Sequence, residues 1–271
     1  MSLRPTVIDL FCGGGGAGVG YWLAGFDVVG IDIVEQPHYP FRQIVGDATR
    51  ASVVRDAITE LGGSVTLVHA SPVCKRYSQI TPAAFRHRHP DQLPGVVDLV
   101  SSLTSDRLAS HFVVENVPGA PVPEPFVLCG GAFGLGVRRH RLFACSFPVL
   151  VPSCVHAGPV VTVAGTWGGV GWGRQRVSAA EGRAAMGIPW MPWPQLAQSI
   201  PPDYTKFLGE TLLEVLGVTS RDESRRRLSS LAPRCGCGRR LIPPPTGRWP
   251  KHCSQACRQA AYRRGASVTN A

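Results

Sequence analysis

The residue with the clearest chemical potential is a cysteine, Cys74, which follows a short apolar run in the chain. Residues 65–68 are mostly apolar and β-branched, and Ser71 and Pro72 end the run, which is the pattern of a buried strand followed by a turn. In open α/β sheets, ligands bind in the crevice beyond the carboxyl ends of the strands. Cys74 is therefore expected to present a thiol to a crevice. The alternative is a small buried hydrophobic residue, because free cysteine is among the most buried residue types.

Ionisable residues also flank two further apolar runs. Residues 111–114 lead into Glu115, for which the alternative interpretation is a turn carboxylate or a helix cap. Three arginines between positions 138 and 141 precede the apolar residues 142–145, and their alternative interpretation is a solvated sheet edge. Both patterns predict a strand with charged groups at one end.

The elements that must position these groups begin with a glycine-rich loop. Residues 6–11 predict a first strand, which runs into CGGGGAG at 12–18 and then into an apolar helical pattern. Glycine lets a backbone approach a ligand closely, and a helix N-terminus offers free N–H groups. A loop of this kind on its own is equally compatible with a tight turn.

Acidic residues follow the next two predicted strands. Asp32 ends the second strand, at 26–32, and Asp47 lies in the third turn. An acid about 20 residues after a glycine loop commonly binds ribose hydroxyls, whereas Asp32 taken alone fits a helix cap equally well. Together, the loop and the two acids predict an adenosine-containing cofactor, either a dinucleotide or S-adenosylmethionine.

Charge is distributed unevenly along the 271 residues, whose length and 44% hydrophobic share suit one main domain plus an appendage. Residues 221–271 hold 12 Lys and Arg against 2 Asp and Glu, which leaves 16 of each for residues 1–220, so the net charge of +10 lies entirely in the tail. A basic tail suggests a polyanionic partner, most often nucleic acid. The alternative is a tail that only aids solubility.

The sequence offers no membrane-spanning or secretory segment. No apolar run reaches the roughly 18 residues of a transmembrane helix, and the N-terminus lacks the charged, apolar and small-residue order of a signal peptide. We therefore expect a cytoplasmic protein with no membrane partner. The compact chain is compatible with a phage origin, in which case the compartment is the host cytoplasm.

The nine cysteines form a scattered set and a clustered set, a division that favours free thiols plus a metal site over a disulfide framework. The scattered set is Cys12, Cys74, Cys129, Cys145 and Cys154. The clustered set is Cys235, Cys237, Cys253 and Cys257. Four thiolates in two pairs suit structural tetrahedral zinc.

The sequence around the second cysteine pair, CSQACRQAAYRR at 253–264, resembles small zinc-finger modules. The first pair is CxC rather than the commoner CxxC, so His252 is an alternative ligand. The other interpretation is an unstructured basic tail with incidental cysteines.

Five segments in order resemble the motifs of the C5-cytosine DNA methyltransferases, and the resemblance covers residues 6–216. The segments are DLFCGGGG at 9–16, SPVCKRYS at 71–78, ENV at 115–117, the arginine pair at 139 and 141, and IPP at 200–202 with the helix after it. The resemblance implies a Rossmann-like α/β fold that uses S-adenosylmethionine.

The resemblance also implies a role for each matched residue. Cys74 would add to C6 of cytosine and so make C5 able to attack an electrophilic methyl group. Glu115 would hold N3 and the exocyclic amine, while the two arginines would orient the base carbonyl and favour the thiolate. The implied catalytic set is Cys74, Glu115, Arg139 and Arg141. The implied cofactor-binding set is Phe11, Cys12, Gly13, Gly15, Asp32, Ile33 and Asp47.

The sequence departs from the family pattern at single positions and in one region. Val73 replaces the usual second proline, Lys75 replaces the glutamine after the cysteine, and Val137 replaces the glutamine before the arginines. The larger departure is 147–176, where the family carries a sizeable target-recognition domain. A region of about 30 residues cannot form a core of its own, so selectivity is expected to be weak or supplied by the tail.

The predicted organisation is a methyltransferase domain at 1–217, with a reduced target-recognition region at 147–176, a linker at 218–233 and a basic zinc-binding module at 234–271. The predicted function is DNA cytosine-5 methylation with S-adenosylmethionine as cofactor, a structural zinc ion in the tail and DNA as partner. One alternative is an RNA cytosine-5 methyltransferase, because a small recognition region also suits a structured RNA. Another is a non-catalytic nucleic-acid-binding protein with a relic methylase fold, against which the presence of all four catalytic groups argues.

Overall fold

The computed structural model describes residues 4–156, 158, 160–165 and 177–218, together with Cys257 and Gln259. Within these residues, seven strands form one sheet. The strands are β1 (Thr6–Leu10), β2 (Asp27–Asp32), β3 (Arg42–Val45), β4 (Val65–Ala70), β5 (Ala109–Asn116), β6 (Phe126–Leu128) and β7 (Arg141–Cys145). The helices are α1 (Gly16–Ala24), α2 (Ala51–Glu60), α3 (Ala83–Arg86), α4 (Leu93–Ser105), α5 (Ala179–Met186), α6 (Trp193–Leu196) and α7 (Pro202–Val215).

The sheet is parallel except at one edge. Its order is β3-β2-β1-β4-β5-β7-β6, and β7 runs antiparallel to both β5 and β6. The carboxyl ends of β1 to β5 therefore share one edge, and the start of β7 arrives at that same edge. This arrangement confirms the predicted α/β fold with a parallel Rossmann-like core.

Alternating side chains on the strands build a core on each face of the sheet. On β1, Val7 packs in the cluster that contains α1 and α7, whereas the next residue, Ile8, packs in the cluster that contains α2 and α4. Leu67 and Val68 on β4 divide in the same way. The apolar runs in the sequence are continuous because both faces of each central strand are covered by helices.

Most predicted elements are present, with shifted boundaries. Helix α4 begins at Leu93, and Pro94 occupies its first turn, where the missing N–H costs no hydrogen bond. The short helix α3 precedes it at Ala83–Arg86. The linker from residue 219 and the zinc-binding module lie outside the described residues, Cys257 and Gln259 excepted. None of the helices in the described part of the chain is both long and apolar enough to cross a membrane.

Close packing of α7 against α1 holds the glycine loop in place. The Thr205 hydroxyl donates to the Ala17 carbonyl over 2.8 Å, so α7 is hydrogen-bonded to the first turn of α1. Gly20 faces this contact, and a Cβ there would overlap both the Thr205 hydroxyl and the Pro202 carbonyl oxygen. A glycine is therefore required at this point by the close approach of the two helices.

We predict that Gly20→Ala destabilises the protein by about 1–3 kcal/mol, because the added methyl group forces α1 and α7 apart. Urea unfolding followed by circular dichroism measures the change. Gly95→Ala is the matched control, because Gly95 is also helical and has open space around its Cβ position. That variant should be neutral or stabilising by up to about 1 kcal/mol. Equal stability of the two variants would contradict the packing argument.

Candidate functional site

A cavity of about 390 Å³ opens at the carboxyl edge of the parallel strands. Its volume lies within the range of about 300–1,000 Å³ that is typical of small-molecule sites. Its wall contains nine of the predicted site residues, namely Phe11, Cys12, Gly13, Asp32, Ile33, Asp47, Cys74, Glu115 and Arg141. The structure therefore brings the predicted cofactor residues and most of the predicted catalytic residues to one space. Two predicted residues, Gly15 and Arg139, are not on the wall.

The glycine loop adopts backbone conformations that side chains disfavour. Gly13 and Gly15 have φ angles of 48° and 85°, in the left-handed region where glycine carries no penalty. Phe11 has a φ of 61° despite its bulky side chain, and such strained residues concentrate at functional sites. Gly15 is the N-cap of α1 and has no side chain that could bind a ligand. Its contribution is the shape of the loop rather than a group on the cavity wall.

The two acids after the loop hold backbone N–H groups. Asp32 accepts from the Gly13 amide at 2.9 Å and from the Val34 amide at 3.3 Å, so its carboxylate links the glycine loop to the end of β2. Asp47 accepts from the amide and the hydroxyl of Thr49, and these bonds lower the pKa of Asp47. Both carboxylates line the cavity.

Cys74 begins a turn just beyond β4. Its carbonyl oxygen accepts from the Tyr77 and Ser78 amides at 3.0 and 2.9 Å. Asn116, fully buried at the end of β5, donates to the Pro72 carbonyl at 3.2 Å and so fastens the segment that carries Cys74 to the neighbouring strand. Asn116 is thus a positioning residue, since its amide holds the backbone two residues before the thiol.

Glu115 and Arg141 form a buried ion pair beside Cys74. The Arg141 Nε lies 3.2 Å from Glu115 Oε1, and the two side chains are only 15% and 8% exposed. Burial raises the pKa of Glu115, and the opposing pull of the Arg141 and Arg139 cations does not cancel it. Burial also raises the pKa of the Cys74 thiol; Glu115 raises it further, while Arg141 and Arg139 lower it. The ionisation of the Cys74 thiol therefore depends on one neighbouring carboxylate and two neighbouring cations.

Arg139 points away from the cavity, unlike Arg141. Its Nη1 and Nη2 donate to the carbonyls of Val163 and Ala197, each over 2.7 Å. Its φ of 37° is a strained left-handed value. Burial lowers the pKa of Arg139 to about 9, so the guanidinium remains charged at neutral pH. The arginine therefore holds two loop segments next to the site and acts on Cys74 only through its charge.

Two residues on the cavity wall that carry no assignment from the sequence have a buried polar atom without a partner. Asp9 is completely buried and its Oδ1 atom has no hydrogen-bond partner, and Gln195 Oε1 is likewise buried and unpaired. Burial raises the pKa of Asp9 to about 7. Asp9 lies in the predicted first strand and begins the DLFCGGGG segment. An acid within an apolar strand, next to the glycine loop, is the sequence signal that could have identified it. Gln195 is far from the loop in the sequence, and no local pattern marks it.

The predicted zinc ligands of the tail are mostly beyond the described residues. Cys235, Cys237 and Cys253 lie outside them, whereas Cys257 is described and half-buried. The tail site therefore stays a prediction.

No known family profile and no curated protein matches the chain, but solved structures match its fold. A protein of E. coli, named as a prophage-encoded DNA modification methyltransferase, aligns with a TM-score of 0.55 and 13% identity. The methyltransferase EhMeth of Entamoeba histolytica and the Dnmt2 methyltransferase of S. pombe both align with a TM-score of 0.52, at 13% and 14% identity. Each alignment covers 79% of this chain and 99% of the other. The chain therefore has the methyltransferase fold that the sequence predicts.

We predict opposite effects of the two charged neighbours on the reactivity of Cys74. Glu115→Gln removes a charge that raises the pKa of the thiol, so alkylation by iodoacetamide near neutral pH should become faster. Arg141→Gln removes a charge that lowers this pKa, so alkylation should become slower. Peptide mass spectrometry across a pH series gives the apparent pKa in each variant.

Cys145 provides an internal control in the same experiment. Burial alone raises the pKa of its thiol, so its alkylation should be the same in all three proteins. A shift of Cys74 in the same direction in both variants would contradict the geometry described for the ion pair.

Proposed function

We propose that this protein is an S-adenosylmethionine-dependent methyltransferase that methylates C5 of cytosine in DNA through a covalent bond to Cys74. The observation that carries the proposal is the shared cavity. A thiol, a buried carboxyl group and a guanidinium line the same space as a strained glycine loop and two acids. The fold, which this chain shares with solved methyltransferases, supports the same reaction class.

The residues of the cavity fit S-adenosylmethionine. Asp9 Oδ1 and Gln195 Oε1 are buried acceptors without partners, which suits a ligand rich in N–H and O–H donors. Ile33 is 67% exposed at the cavity wall and offers an apolar surface to a flat heterocycle. Asp32 and Asp47 supply carboxylates for ribose hydroxyls. When bound, the cofactor would supply an electrophilic methyl group.

Cys74 would act as the nucleophile because C5 of cytosine is a poor one. Addition of the Cys74 thiolate to C6 would make C5 enamine-like, so that C5 could take the methyl group as the bond between that group and the cofactor sulfur breaks. A water molecule would then accept the C5 proton, and the electron pair left at C5 would expel the thiolate from C6, which restores the aromatic ring and the free cysteine. Burial and Glu115 raise the pKa of the Cys74 thiol, whereas Arg141 and Arg139 lower it, so the two cations favour the thiolate that this step requires.

Glu115 and Arg141 would orient and stabilise the base. Glu115 lies on the same cavity wall as Cys74, where its carboxyl group would hold N3 and the exocyclic amine of the base. Arg141 is held by its contact with Glu115 and by donation to the His140 carbonyl at 2.8 Å. It can therefore present its remaining N–H groups to the base carbonyl. Arg139 would act as a positioning residue, through the segments that it binds.

The nucleic acid of the proposal is DNA, and RNA is the alternative that the experiment must separate. The prophage protein with the same fold is named as a DNA modification enzyme, which favours DNA. The basic residues of 221–271 favour a polyanion of either kind. A base in a duplex must leave its stack to reach a cavity of this type, whereas a base in an RNA loop is already accessible.

We predict that the protein transfers labelled methyl groups from S-adenosylmethionine to duplex DNA faster than to structured RNA. Cys74→Ser should lower transfer by roughly three orders of magnitude or more, because the covalent nucleophile is lost. DNA that contains 5-fluorocytosine should trap a covalent complex through Cys74, since the C5 fluorine cannot leave as a proton does.

Two controls separate chemistry from folding. Cys74→Ser should bind S-adenosylmethionine in calorimetry as the unaltered protein does, and Cys145→Ser should keep full transfer. Undiminished transfer by Cys74→Ser would remove the mechanism. Nucleic-acid binding without transfer to DNA or RNA would favour the non-catalytic alternative.

We also predict that the tail anchors the protein to DNA. Each phosphate contact releases counterions, so binding should weaken steeply with salt, with a log–log slope of about −0.9 per contact. Removal of 221–271, which holds the entire net charge of +10, should flatten that slope while the rate at saturating DNA changes little. Binding titrations at several salt concentrations measure the slope. An unchanged slope after truncation would show that the tail is not the anchor.

A further inference from the structure

Four metal-binding side chains meet beside the active-site edge although their positions are scattered in the sequence. They are Cys129, His140, Cys154 and His156, and their ligand atoms all lie within 4.8 Å of one another. None of them lines the cavity described above, and none belongs to the tail. Two thiols and two imidazoles are the ligands of one common type of structural zinc site.

The ligand atoms of this Cys129/His140/Cys154/His156 cluster are as close together as a single ion requires, with two distances near the tetrahedral zinc values and two somewhat shorter. With Zn–N bonds of about 2.0–2.1 Å and Zn–S bonds of about 2.3 Å, tetrahedral ligands are about 3.3 Å apart for two nitrogens and about 3.6 Å for nitrogen and sulfur. The His140 and His156 Nε2 atoms are 3.2 Å apart. The nitrogen–sulfur distances from His156 to Cys129 and Cys154 are 3.5 and 2.9 Å, and that from His140 to Cys154 is 3.1 Å.

The antiparallel pairing of β6 with β7 places Cys129 and His140 close together. Cys129 follows the end of β6 and His140 precedes the start of β7, and Leu128 pairs directly with Arg141 in the antiparallel ladder. Antiparallel pairing therefore places these two ligands next to each other although ten residues separate them. Cys129 is buried and His140 half-buried, which gives the cluster a fixed inner side.

The last two ligands come from the segment after β7, which packs tightly against the first pair. Gly131 faces Val155, the residue between Cys154 and His156, and a Cβ at Gly131 would overlap the Val155 carbonyl oxygen. A side chain at this position would thus push the segment away from Cys129. The close approach of the two backbones therefore fixes the segment that carries Cys154 and His156 next to Cys129.

We propose that Cys129, His140, Cys154 and His156 bind one structural zinc ion, which fastens the start of the shortened region after β7 to the sheet edge. Four protein ligands leave no open position for a substrate, so the site is structural rather than catalytic. A region too short to bury a core of its own gains most from a metal. His140 stands between Arg139 and Arg141, so the same ion would also hold the backbone that carries both arginines.

The test uses full-length protein and removes the tail cysteines as metal ligands by Ser substitution at Cys235, Cys237, Cys253 and Cys257. This tail variant should contain one zinc ion per chain by mass-spectrometric metal analysis. Adding Cys154→Ser should abolish it. Cobalt substitution of the tail variant should give tetrahedral d–d bands and a thiolate charge-transfer intensity about half that of a four-thiolate site, because two of the four ligands are sulfur.

Two further variants separate metal binding from damage to the fold. Gly131→Ala alters no ligand but displaces Val155, so it should weaken zinc binding at least tenfold in a chelator competition. Cys145→Ala is the matched control, because this half-buried thiol lies on the same strand as Arg141 and outside the cluster. It should leave the zinc content unchanged. A tail variant that contains no zinc, or one that carries a Cys129–Cys154 disulfide in its place, would overturn the proposal. A zinc content that is unchanged by adding Cys154→Ser would do the same.

Discussion

The antiparallel pairing of β7 with β5 is the constraint on which the rest of the site depends. Asn116 pairs with Leu142 and Glu115 with Phe143, so the start of β7 lies against the end of β5. An arginine placed just before β7 therefore reaches a carboxyl group placed at the end of β5. Had β7 joined the sheet in parallel, Arg141 would lie at the opposite edge, some five residues of strand length from Glu115.

The same strand pairing reduces the free-energy cost of burying the Glu115 carboxylate, because it places Arg141 beside it. A carboxylate buried alone costs several kcal/mol, and Glu115 is only 6% exposed. Arg141 offsets part of that cost, and its charge also acts on the Cys74 thiol. The three groups thus form one electrostatic unit, in which the ionisation of each depends on the other two. The opposite shifts expected for Glu115→Gln and Arg141→Gln are a direct consequence of this coupling.

Local sequence patterns were sufficient to predict most of the strands and the functional residues at the ends of the parallel ones. They were not sufficient to predict the contacts between distant residues at the antiparallel edge. The first strand, the glycine loop, Asp32 and Cys74 each follow from a short run of residue types, since parallel strands end at a common edge whatever their order. The position of the Arg139 guanidinium outside the cavity wall could not be predicted, because it depends on carbonyl groups of Val163 and Ala197 that are far away in the chain. The meeting of Cys129 with the later ligands depends on strand register, which residue spacing does not reveal.

The region after β7 is hydrogen-bonded to the segment that carries Arg139. Its described residues have no core of their own, and they attach instead to the sheet edge. The Val161 amide donates to the Gly136 carbonyl over 2.8 Å, and the carbonyl of the buried Val163 accepts from Arg139. A separate recognition domain can shift relative to a catalytic centre, but these residues are bonded to the arginine segment itself. If the proposed function is right, a nucleic acid that displaced these residues would also displace the backbone that leads into Arg141, because hydrogen bonds at Gly136 and Arg139 connect the two segments.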